Sequence, residues 1–105
     1  MIDDSEDKME LGGLITLVGF NGIEPAKLIV IKKVVGNFTK KLQDRHTKFE
    51  NLSVHFKEVH SSKNEIKTKT IIGGKVHNTE SIDFNLFFAL NNALTSLMTE
   101  TEKDL

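Results

Sequence analysis

Four histidines, His46, His55, His60 and His77, are the first candidates for acid–base or metal chemistry in this chain. Their spacing argues against a shared site. His55 and His60 are five apart on an expected strand, an odd separation that sends them to opposite faces. His77 and Glu80 can be drawn as an acid–base pair, but a surface histidine on a hairpin is the simpler reading. There is no cysteine, which excludes disulfides, thiolate metal sites and cysteine nucleophiles. Serine and threonine are plentiful, yet none sits in a nucleophile elbow. Gly73-Gly74-Lys75 looks like the end of a phosphate loop. However, Lys69 stands where that motif needs its first glycine and Val76 where it needs Ser or Thr. A hairpin turn explains the two glycines better. Phe84, Phe87 and Phe88 could stack on bases, but at this spacing they read as core or helix–sheet contacts. The expectation is therefore a non-enzyme with no metal, no cofactor and no small-molecule substrate.

The lysines are better placed for chemistry than the histidines. Net charge is only −1, but it is unevenly spread. Residues 27–75 hold twelve basic side chains against four acidic ones, whereas residues 1–10 and 76–105 each hold five acids against one lysine. A basic middle between acidic ends predicts one positive surface on an otherwise neutral protein. Lys33, Lys40 and Lys41 fall opposite the apolar stripe of an expected helix, with Asn37 between them and Arg45 and Lys48 at its end. Such a face attracts phosphate by charge without reading sequence, and suits structured RNA recognised by shape. A solvated helix face kept for solubility has the same sequence appearance.

These residues need elements to hold them. A chain of 105 residues is one domain, burying roughly two thirds of its unfolded surface. Residues 1–10 are acidic and aperiodic, and are expected to form a disordered tail ahead of a single domain over 11–105. Leu14 to Val18 is a β-branched apolar run and reads as a strand. Pro25 opens a helix whose stripe is Leu28, Ile31, Val35, Phe38 and Leu42, ending near Arg45. Gly36 is its weak point. Leu52, Val54 and Phe56 alternate with Ser53, His55 and Lys57, and Ile66 to Ile72 alternates with Lys67 and Lys69, so both read as half-buried strands. Gly73-Gly74 turns the chain into a further strand from Lys75 to Ile82. Ser81 or Asp83 is the expected cap of a last helix carrying Phe87, Leu90, Leu94 and Leu97.

The expected fold class is α+β: a β-α-β-β-β-α order with a four-stranded mixed sheet and two helices packed on one face. The other sheet face is open, and His55, Lys57, Lys67 and Lys69 have the parity to point there. No apolar run approaches the ~18 residues of a membrane span, and the acidic start lacks a signal-peptide layout. A cytoplasmic protein with no membrane partner is expected. A sheet with an open face and a free edge also fits a protein-interaction module without nucleic acid, including a homodimer.

The stretch Gly73 to Leu90, GGKVHNTESIDFNLFFAL, resembles the ribosome hibernation-promoting factor family. A glycine-ended hairpin leads into a strand with a histidine, then an acidic residue, then aromatic and alanine positions opening the last helix. The element order is similar over about residues 14–99, and the chain resembles the short form of the family. The resemblance implies a domain akin to double-stranded RNA-binding folds. It also implies binding to small-subunit rRNA in the mRNA and tRNA channel, which silences translation in resting cells. By position, the family's basic contacts would fall on Lys33, Lys40, Lys41 and Arg45 of the helix and on Lys57, Lys67, Lys69 and Lys75 of the strands and hairpin. The last helix departs from the family's common basic ending, running Thr99-Glu100-Thr101-Glu102-Lys103-Asp104-Leu105.

Overall fold

A computed structural model describes residues 7–103. The element order is β1 (Lys8–Leu11), β2 (Ile15–Val18), α1 (Pro25–Arg45), β3 (Phe49–Val59), β4 (Lys63–Ile72), β5 (Lys75–Asp83) and α2 (Leu86–Glu102), with a short 3₁₀ turn between β3 and β4. The strands form one mixed sheet in the order β1-β2-β3-β4-β5. β2 runs parallel to β3, with Leu17 beside Val54, as the α1 crossover requires. The remaining neighbours are antiparallel.

The α+β class and the two helices agree with the sequence reading, but the sheet has five strands, not four. The added strand is β1, taken from the end of the expected acidic tail. Its pattern is only four residues long, with Met9 and Leu11 half-buried against the core and Lys8 and Glu10 exposed. Neighbouring acids hide so short an alternation. Asp7 anchors the strand: its carbonyl accepts from the Gly19 N–H at 3.1 Å and its carboxylate from the Asn21 N–H at 2.9 Å. The rest of the expected tail, residues 1–6, lies outside the described residues.

Alternation along the strands sends one set of side chains into a core beneath the helices. Ile15, Leu17, Leu52, Val54 and Ile66 come from the sheet, Ile31, Val35 and Leu42 from α1, and Leu90, Leu94 and Leu97 from α2. Phe20, fully buried in the β2–α1 loop, packs on Phe56 with ring centroids 5.5 Å apart. Gly19 must be glycine: its φ is +89°, and a Cβ there would run into the Phe56 carbonyl oxygen. The small Ala89 and Ala93 let α2 sit close on β4 and β5.

The core side of β4 and β5 is partly polar. Thr68 Oγ1 lies 2.5 Å from Thr79 Oγ1, and the Thr79 hydroxyl donates to the Ala93 carbonyl at 2.7 Å. Because Thr79 has given its proton to Ala93, Thr68 is the donor to Thr79. Thr70 donates to the Asn51 carbonyl at 2.7 Å. His77 lies on this side too and is buried, so it is not the surface histidine its hairpin position suggests. The same parity that places Thr79 under α2 places His77 there.

One local expectation is revised and one holds. The cap of α2 is Asn85, whose side chain accepts from the Phe87 and Phe88 N–H groups. Asp83 instead steadies the cap by accepting from the Asn85 N–H at 2.8 Å, and Ser81 remains in β5. The β4–β5 turn is the expected Gly73-Gly74 pair, both at positive φ. Its N–H groups dock on β3 and the residue before it, Gly73 to the Lys48 carbonyl and Gly74 to the Glu50 carboxylate. No helix among the described residues is long and apolar enough to cross a membrane.

Candidate nucleic-acid interface

Among the described residues, helices cover only one face of the sheet. On the other face the alternation of β3 and β4 leaves His55, Lys57, Lys67 and Lys69 exposed. Register brings them together: His55 is opposite Lys67, Ser53 opposite Lys69 and Lys57 opposite Glu65. The cluster is not purely positive. Lys67 Nζ lies 3.9 Å from Glu65 Oε1, and Glu80 of β5 is opposite Lys67. The Lys67–Glu65 contact is long and the Lys67 side chain is 58% exposed, so its ammonium keeps its reach toward a phosphate.

The helix residues form a second surface. Ile31, Val35, Thr39 and Leu42 of α1 are buried, which turns Lys33 and Lys40 outward, away from the sheet. Lys41 lies on a flank, its Nζ 5.2 Å from the centre of the Phe38 ring. Arg45 is engaged: its guanidinium pairs with Glu102 at the end of α2. The acidic helix end thus neutralises one candidate RNA contact, and Lys103 pairs with Glu100 at 3.3 Å. Lys75 is exposed at the β4–β5 hairpin. The eight basic residues are therefore not one patch. Lys57, Lys67 and Lys69 leave one side of the molecule, and Lys33, Lys40 and Lys41 the other.

Sequence reasoning missed an aromatic feature. Phe84 and Phe88, read as core or helix–sheet contacts, are 68% and 61% exposed, and only Phe87 packs against the core. The cause is the Asn85 cap: it starts α2 so that Ala89, Leu90 and Ala93 face inward and Phe88 faces out. Phe84 carries the Lys63 ammonium 5.2 Å from its ring centre, a cation–π contact. It borders an open groove of about 660 Å³ between the β2–α1 loop and the start of α2, lined also by Lys27, Phe56, Glu58 and Asn64. Among the described residues no group of three or more His, Asp or Glu could hold a metal.

No family model matches the chain, and no curated protein matches it either. Solved structures do. The N-terminal domain of Protein Y from Thermus thermophilus superposes with a TM-score of 0.64 at 19% identity, covering 92% of this chain and 100% of that one. A ribosomal subunit interface protein from Coxiella burnetii gives 0.57 at 17% identity, covering 86% and 92%. At these identities the likeness establishes a shared fold over nearly the whole of both chains.

Proposed function

We propose that this protein is a non-enzymatic factor that docks on the rRNA of the small ribosomal subunit and silences translation in the cytoplasm. The observation that carries the reading is the cluster of Lys57, Lys67 and Lys69 on a sheet face that no helix among the described residues covers. The fold shared with a ribosomal subunit interface protein supports it. The two-sided distribution of charge fits a channel, whose walls can meet the sheet lysines on one side and Lys33, Lys40 and Lys41 on the other. A single RNA duplex laid on one face would reach only one set. Lys75, at the β4–β5 hairpin, shares the strand parity of His77 and Thr79 and so reaches out from the rim on the helix side, and Arg45 joins the helix surface when Glu102 releases it.

The test is co-sedimentation with purified small ribosomal subunits across a salt series. Comigration at low salt, lost steeply as salt rises, is expected. Two triple charge reversals to glutamate separate the surfaces, one at Lys57, Lys67 and Lys69 and one at Lys33, Lys40 and Lys41. Each should lower the slope of log K against log salt by about 2–3, since each phosphate contact contributes about 0.7–0.9. Parent protein that stays at the top of the gradient at every salt concentration overturns the function. A loss confined to one triple variant overturns docking by both surfaces.

A further inference from the structure

β5 is an outer strand of the sheet, nine residues long, in unbroken register with β4 and free of proline. The opposite edge, β1, has only four residues. A long regular edge is a template for another strand. β5 also exposes two large apolar side chains on the open face, Val76 at 47% and Ile82 at 53%.

The sequence of β5 is complementary to itself in one register. When two copies pair antiparallel about Thr79, Lys75 meets Asp83 of the second copy, Val76 meets Ile82, His77 meets Ser81 and Asn78 meets Glu80. Every charged residue then faces an opposite charge or an amide, and the two exposed apolar residues cover each other. Neighbouring symmetric registers lose this. Centring on Glu80 sets Glu80 against itself, and centring on Asn78 sets Val76 against Glu80. Even-numbered residues pair with even-numbered ones, so both pairs of helices stay on one side of the joined sheet.

We infer that this chain forms a homodimer through β5, two copies joining edge to edge in the Thr79-centred register into one continuous sheet. The interface is independent of the rRNA reading, because its residues are not the lysines proposed to grip phosphate, apart from Lys75 at its margin. It places the Lys57, Lys67 and Lys69 clusters of the two copies on one shared face.

Asn78→Glu tests the interface without loosening the fold. Within one chain position 78 is opposite Lys69, so a glutamate there gains an opposite charge. Across the dimer it faces Glu80 at two symmetry-related places. Analytical ultracentrifugation of the parent should show a concentration-dependent dimer. The variant should dimerise roughly fivefold more weakly or worse at low salt, with a smaller difference at high salt. Its thermal midpoint, measured where both proteins are monomeric, should be unchanged or higher. Register is read by cross-linking, since the chain has no cysteine of its own. Val76→Cys with Ile82→Cys should give a disulfide-linked dimer under mild diamide oxidation. Those positions are ~20 Å apart along one strand and cannot bridge within a chain. Val76→Cys with Glu80→Cys is the off-register control and should not cross-link. A parent that is monomeric at its highest soluble concentration overturns the inference. So does an Asn78→Glu dimer of parental strength, or equal cross-linking of the two cysteine pairs.

Discussion

The hydroxyl chain from Thr68 through Thr79 to the Ala93 carbonyl has a direction, and the direction makes an unequal pair of mutants. Thr68 is 2% exposed and donates to Thr79, which donates onward to α2. Valine at either position keeps the β-branched shape and the strand preference, so only the hydroxyl is removed. Thr68→Val deletes one hydrogen bond and leaves Thr79 still bonded to Ala93, a loss of about 0.5–1.5 kcal/mol. Thr79→Val deletes the bond to Ala93 and also strands the Thr68 hydroxyl in the core. The stranded donor adds its desolvation penalty of about 1–3 kcal/mol, so the total is about 2–4 kcal/mol. The double variant removes the stranded group and should be no less stable than Thr79→Val alone. Urea unfolding followed by far-UV circular dichroism measures all three, because the chain has no tryptophan or tyrosine to report by fluorescence. The reasoning is refuted if Thr68→Val costs as much as Thr79→Val, or if the two single losses add in the double variant.

Two further predictions concern α1 and its contact with α2. Gly36 lies inside α1, and a Cβ added there would meet no atom within 4 Å. Gly36→Ala should therefore stabilise the protein by about 1 kcal/mol, raising the melting temperature by about 4–8 °C in a calorimeter; a lowered midpoint would contradict the open environment. Glu102→Gln should release Arg45 from its ion pair. Both side chains are nearly half exposed, so the stability loss should stay below about 1 kcal/mol. In the ribosome co-sedimentation assay the salt slope should steepen by about 0.7–0.9, one added phosphate contact. An unchanged slope would remove Arg45 from the interface.

Most of the fold is legible in the residues because each long element repeats its pattern enough times. The stripe Ile31, Val35 and Leu42 spans three turns of α1, and Leu52, Val54 and Phe56 alternate without interruption, so tertiary packing agrees with local periodicity. β1 had no such length. Four residues give two apolar positions, and what makes them a strand is β2 beside them and Asp7 holding the loop beyond it. The charged surface divides along the same line. The parity of Lys57, Lys67 and Lys69 follows from strand alternation alone. That Lys33 and Lys40 face the other way follows only once both helices are known to share one side of the sheet. Arg45 shows where local reading stops. Its partner Glu102 is 57 residues away in sequence, on a different helix, and no pattern within α1 could reveal the pairing. His77 and Phe88 carry the same lesson with opposite signs. One polar residue was drawn inward by strand parity and one aromatic residue was turned outward by the position of a cap, so packing of α2 on β5 outweighed the residues' own preferences. The acidic end of α2 is therefore best understood through its contact with α1. A charge that departs from the resembled family sits against the one arginine of the basic set, and the strength of that single pair decides whether the helix surface presents three cations or four.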